Sequence, residues 1–318
     1  MKLNMSKIMF ITIIVLSSLT SFSVNNWLTM WILMELNLFM FMPLMTKKKI
    51  NDQTLKYFII QSLSSYILVF SMLWTSMKIN SINNLLTMIS MLIKIGMAPF
   101  HAWKPELMNK INWNECFLLT TLIKITPLIL INKMISFKLL ILPLITTMIM
   151  SSFSGFNQLS LKKMMAFSSI FNLVWMTCAF SMNKILMISF MTIYSTLNWK
   201  MMKLFKKNNL IYKNQLILTP LKTKISMNLN LLSISGLPPL MGFFPKWIVI
   251  NEITKNSMLM SFMMIMTSIL MMFMYIQMNT FSFTNFFMTK KMNKLNENKT
   301  FMMINLINFP MMMLIWMN

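Results

Sequence analysis

The sequence predicts an all-α polytopic membrane protein of about eleven transmembrane helices, two of them discontinuous and set in an inverted repeat of five-helix units. Three observations carry this expectation. Of 318 residues, 57% are hydrophobic and only 11% charged, too few polar groups to cover an aqueous surface, so lipid must solvate the chain. Apolar runs of roughly 17 to 25 residues recur from end to end, the length an α-helix needs to cross a hydrocarbon layer of about 30 Å. The runs lack period-two alternation, and in lipid only helices or closed barrels satisfy the backbone, which leaves helices.

The first run, 8–22, begins near the N-terminus and shows no small-residue cleavage site, so it reads as a retained span and not a signal peptide. The second, 27–45, carries Glu35, and the third, 55–77, follows Lys47, Lys48, Lys49 and Lys56. The fourth, 82–103, runs into a cluster of glycine and proline, and the fifth, 115–132, carries Lys124. The sixth and seventh, 137–153 and 165–182, flank Lys162 and Lys163, while the eighth, 185–202, leads into a lysine-rich stretch ending at Lys224. The ninth, 226–252, holds a second glycine and proline cluster. The tenth is 257–280, and the eleventh, 301–317, follows the last lysine-rich loop. Two repeats result, 1–133 and 134–282, with 283–318 as a C-terminal loop and last helix.

Numbering the loops alternately tests this order, because one side of a membrane protein collects the lysines. Of the 29 lysines, 21 fall on the N-terminal side, Lys104 and Lys110 among them, and five on the other: Lys78, Lys133, Lys138, Lys184 and Lys255. The N-terminus therefore faces the positive-inside compartment and the C-terminus faces away. The 44 Met and 29 Lys, without a single Arg and with only four Gly, read as A+T pressure on codons with ATA decoded as Met. That points to an animal mitochondrial gene, which makes the positive-inside compartment the matrix. The net charge of +23 does not imply a nucleic-acid partner, since that reading needs a soluble domain with a basic face.

Three of the four glycines and half of the ten prolines lie in two segments, Lys94-Ile95-Gly96-Met97-Ala98-Pro99-Phe100-His101-Ala102-Trp103-Lys104-Pro105-Glu106 and Ser235-Gly236-Leu237-Pro238-Pro239-Leu240-Met241-Gly242-Phe243-Phe244-Pro245-Lys246-Trp247. Proline removes a helical donor and glycine tolerates unwound backbone, so both segments read as breaks. Ordinary loops between shorter helices are the alternative. The breaks fall in the fourth and ninth spans, equivalent positions of two five-helix repeats. Paired interrupted helices of that kind point to an ion path.

Three lysines belong to neither aqueous side: Lys94, Lys124 and Lys246. Each costs roughly 2.5 to 3.5 kcal/mol at a helix centre, so each demands a polar interior. Glu35 is their candidate partner. Burial disfavours a charged amine and a nearby carboxylate favours it, so a lysine held between the two can load and release a proton as its partner moves. Snorkelling or a structural ion pair is the plainer alternative. His101, the one histidine, reads equally as a relay towards the aqueous side or as a structural histidine. Asn157, Gln158, Ser168, Ser169 and Asn172 are candidates to hold water or simply to bond between helices. Cys116 and Cys178 are too far apart for a disulfide framework or metal-ligand spacing and read as inert thiols. No metal-binding constellation is present. Without G-x-G-x-x-G, a cysteine cluster or a second histidine, the chain holds no nicotinamide, iron–sulfur cluster or bis-histidine haem of its own.

At 31–41, 94–106, 155–169 and 236–255 the chain resembles the subunit 2 family of the respiratory NADH:ubiquinone oxidoreductase, mitochondrial complex I, whose members are antiporter-like proton-pumping subunits. The stretches of the KxGMAPFHxW type and the GLPPLxGFxPKW type carry the resemblance. It implies proton translocation in the mitochondrial inner membrane through Glu35, Lys94, Lys124 and Lys246, driven by quinone reduction elsewhere in the complex. It also implies neighbouring antiporter-like and small membrane subunits as partners, with NAD, FMN, iron–sulfur clusters and ubiquinone on those partners. The chain departs from the family where relatives read Trp-Gln-Lys and it has Leu122-Ile123-Lys124. It departs again at Phe167-Ser168-Ser169-Ile170-Phe171-Asn172-Leu173-Val174-Trp175, where Asn172 stands for a histidine and cannot ionise. Two other functions compete: a free-standing cation/proton antiporter, and a membrane scaffold whose charges only hold helices together.

Overall fold

Helices form wherever the described residues carry an apolar run. The computed structural model of the chain describes residues 5–46, 52–75 and 80–283, with no strand among them and one isolated bridge between Ser160 and Tyr212. The expected span 301–317 and the loop before it lie outside the described residues, as do Lys2, Lys47, Lys48, Lys49 and Lys78.

The helices are α1 (Met5–Thr20), α2 (Trp27–Met45), α3 (Asp52–Thr75), α4 (Asn80–Ile95), α5 (Trp103–Lys110), α6 (Trp113–Thr120), α7 (Leu122–Met134), α8 (Phe137–Phe156), α9 (Leu161–Met182), α10 (Lys184–Lys207), α11 (Leu221–Ser235), α12 (Phe243–Asn256) and α13 (Met258–Phe283), with a 3-10 turn at Lys213–Leu218. Among the described residues, six candidate membrane spans are long and apolar enough to cross a bilayer: Trp27–Met45, Asp52–Trp74, Trp113–Met134, Phe137–Phe156, Leu161–Met182 and Met258–Thr280. The chain divides into two compact units, Met1–Thr147 and Met148–Asn318.

In the first unit α3 packs on α4 and α1 on α2, while α7 touches α1, α2 and α4. The amphipathicity of α3 is inside out. Leu55, Ile59, Leu63, Tyr66, Phe70 and Leu73 form an exposed stripe at helical spacing, whereas Gln61, Ser64, Ser65 and Ser71 are buried. That is the pattern of a helix whose apolar face meets lipid and whose polar groups bond between helices. In the second unit α9 is buried almost throughout from Leu161 to Phe180, and α10 and α12 pack against it. Helix α13 turns Phe262, Ile265, Ile269, Phe273 and Ile276 outward and Met260, Met264, Met271, Met274 and Met278 inward.

Two features differ from the sequence expectation. The fifth span is also interrupted, at Thr121 (φ −119°, ψ −81°), between α6 and α7. Pro127 lies in the following turn of α7, where its ring would crowd the carbonyl of Ile123 four residues back and supplies it no N–H. The expectation that only the fourth and ninth spans are broken is thereby corrected, and Lys124 also stands beside a break. Lys104, assigned to an aqueous loop, is completely buried. It stands in the first turn of α5, and the phase of that short helix turns Lys104 inward and Glu106 outward.

Candidate functional site

The end of α4 finds partners for the carbonyls of Leu92, Ile93 and Lys94, as a helix end inside a membrane protein requires. Gly96 takes the left-handed conformation (φ +76°) that ends the helix, and its N–H and that of Met97 both return to Leu92 O at 2.9 and 3.0 Å. The Trp103 indole donates to Ile93 O at 3.2 Å, and the Gln61 amide donates to Lys94 O at 3.2 Å. A side chain at Gly96 would press on the Trp103 ring, because an added Cβ would stand 3.1–3.3 Å from the indole atoms. Gln61→Leu is expected to orphan the Lys94 carbonyl and destabilise the first unit by about 1 kcal/mol. Thermal unfolding of the purified chain in detergent measures this; an unchanged midpoint would mean that the bond contributes nothing.

Held by that end, Lys94 donates to Glu35 Oε1 at 3.2 Å from α2, with the two side chains 4% and 17% exposed. Among the described residues this is an ion pair between separate helices, unlike Lys255–Glu252, which is exposed on one turn of α12. Two residues beyond Glu35, Asn37 accepts from Ser17 and donates to Thr126 at 3.3 Å, tying α2 to α1 and α7. Lys94 also lines a narrow cleft with Tyr57, Gln61, Trp103, Lys104, Leu119, Lys124 and Pro127. The cleft thus brings together Lys94, the expected Lys124 and the unexpected Lys104. Lys104 and Lys124 line it together, one from α5 and the other from α7.

In the second unit Lys246 sits in the first turn of α12 and reaches back to the end of α11, donating to Ile234 O at 3.1 Å and Ser235 O at 2.9 Å. Carbonyls at a helix C-terminus carry partial negative charge and suit an ammonium. Its Nζ also stands 5.7 Å from the Trp175 ring centre and 6.0 Å from that of Phe171, both on α9. Gly236 ends α11 with φ +90°, and an added Cβ would lie 3.2 Å from Lys246 Nζ. A second narrow cleft joins Lys246 to Asn172, Tyr194, Pro245 and Gly242. Asn172 donates to Ser168 O at 2.9 Å, so α9 presents a neutral amide to this cleft.

His101 is half-buried in the segment between α4 and α5, bonded at the Pro99 backbone, and is not among the residues lining the first cleft. Cys116 and Cys178 are buried thiols without a disulfide, Cys116 donating to Met108 O. Among the described residues no group of three or more His, Cys, Asp or Glu side chains could hold a metal.

The model of the NADH:quinone oxidoreductase/Mrp antiporter transmembrane family matches residues 24–271. The chain is 36% identical over 271 residues to NADH-ubiquinone oxidoreductase chain 2 of Anopheles gambiae, covering 80% of this chain and 79% of that one. To NADH-ubiquinone oxidoreductase chain 2 of Locusta migratoria it is 37% identical over 270 residues, 80% of this chain and 78% of the other. Among solved structures, a chain of respiratory complex I from Thermus thermophilus superposes with a TM-score of 0.80 at 17% identity, over 88% of this chain and 71% of that one. That likeness concerns the fold.

Proposed function

We propose that the chain, which belongs to the NADH:quinone oxidoreductase/Mrp antiporter family of membrane proteins, is a core membrane subunit of the mitochondrial NADH:ubiquinone oxidoreductase that passes protons along its buried charges. The observation that carries the reading is the Glu35–Lys94 pair, held at a broken helix and opening on a cleft shared with Lys124. A purely structural pair would not need to face a cleft lined by further amines. Lys246, at the second break, is the corresponding group of the second unit. In this reading a proton on Lys94 is held against the Glu35 carboxylate and is released towards Lys124 when that pair loosens.

The same reading gives about eleven spans in two inverted five-helix repeats, 1–133 and 134–282, the eleventh as an appendage. The N-terminus then faces the matrix and the C-terminus the intermembrane side. Nicotinamide oxidation, FMN and iron–sulfur electron transfer and ubiquinone reduction are assigned to partner subunits, with other antiporter-like subunits as neighbours. Relatives above 30% identity support an oxidoreductase subunit over a free-standing antiporter.

The deciding experiment is sedimentation of the mildly solubilised native membrane. The chain is expected to travel with a large NADH-oxidising assembly. Migration as a small particle, with cation/proton exchange by the purified chain alone in liposomes, would replace this reading with the antiporter.

A further inference from the structure

We propose that Lys104 is a second proton carrier paired with Lys124, the two buried amines facing one another in the first cleft and sharing one proton. The inference rests on the proton-carrying reading of Lys94 and Lys124. Lys104 is 0% exposed, so it does not snorkel to an aqueous surface. No oxygen acceptor among the described residues reaches its Nζ, and the amines that line the cleft with it are Lys94 and Lys124. It also stands in the first turn of α5, where the helix dipole opposes a positive charge.

Two buried ammonium ions in contact repel strongly, whereas one ammonium and one amine form a charge-assisted N–H···N hydrogen bond. Transfer within the pair breaks one N–H bond as it makes the other and leaves the total charge unchanged. The pair therefore adds a step between Lys94 and the far side of α7 that costs no separation of charge. The other titratable groups facing it are Tyr57 from α3 and Lys94 from α4, with Glu35 of α2 on Lys94. Asp52 and Lys56 of α3 are exposed, and so is Glu106 of α5, while Glu115 of α6 is held by Asn112 at 2.7 and 2.9 Å.

The test is proton translocation per NADH oxidised, by the assembled complex in liposomes across a range of pH. Lys104→Met is expected to lower it about tenfold and to turn a two-step pH profile into a single step, because two coupled amines titrate as a pair. Lys104→Arg, which keeps the charge but does not release its proton, is expected to be as impaired as Lys104→Met. In a Lys124→Met background, Lys104→Met should add no further loss. The proposal is overturned if Lys104→Met pumps normally with the wild-type pH profile, or if Lys104→Arg restores pumping, as a structural cation would. It is overturned too if Met, Leu and Gln at this position all prevent assembly, which would make Lys104 architectural. Lys94→Met separates the two levels. If it abolishes pumping while Lys104→Met does not, Lys104 alone is removed from the path, and if both pump normally the proton-carrying reading itself is lost.

Discussion

Glu35→Gln is expected to leave the subunit in its complex at a normal amount and to lower coupled proton translocation about tenfold or more. The glutamine amide keeps an oxygen where Glu35 Oε1 now accepts from Lys94 at 3.2 Å, so α2 and α4 keep their hydrogen bond. What disappears is the counter-charge, and with it the difference between a proton held at Lys94 and one released from it. Lys94→Met removes the carrier itself, with the same expected loss of transport. If the two residues act as one unit, the double variant pumps no worse than either single one. The plainer role as a helix-to-helix fastener gives the opposite pattern: reduced assembly in proportion to lost stability, and normal transport in whatever assembles. Native electrophoresis beside a proton-translocation assay reads both quantities from one preparation. Wild-type transport in either single variant removes the pair from the path.

Why this pair was legible in the sequence and its neighbour Lys104 was not follows from helix phase. Glu35 lies near the middle of a nineteen-residue helix and Lys94 in the last turn of another, so neither depends on a short segment's orientation. Composition alone marks them as buried charges. Gly96 and Gly236 were equally readable, because a glycine after an apolar run is the usual left-handed stop and both take that conformation. Trp103-Lys104-Pro105-Glu106, in contrast, reads as a polar connection. Whether Lys104 or Glu106 turns inward depends on how the eight-residue α5 leaves the break, and the Trp103 indole fixes that by docking on Ile93 O and over Gly96. Such information is tertiary. The interruption at Thr121 was half legible. Pro127 is visible, but its effect falls a turn earlier, before Lys124, where the residue types alone show nothing unusual.

Gly242→Ala is expected to have the largest structural effect of any small substitution in the second unit, although its backbone (φ −75°, ψ −14°) is one that alanine adopts freely. The obstacle is contact. An added Cβ would stand 1.8 Å from the carbonyl oxygen of Ser233 and 2.9 Å from its carbon, and this neighbour is backbone with no rotamer to change. To restore ordinary separation the start of α12 has to retreat from the end of α11 by more than about 1 Å, at a cost of about 3 kcal/mol. That retreat carries Lys246, four residues on, away from Ile234 O and Ser235 O, so stability and transport should fall together. Gly155→Ala supplies the control. Its added Cβ would meet Met274 Sδ at 3.0 Å, and a flexible thioether can swing aside, so the expected change is within about 1 kcal/mol. Melting of the assembled complex and its proton translocation test both variants. Equal melting of the two would mean that the close approach of α11 and α12 at Gly242 is not what positions Lys246.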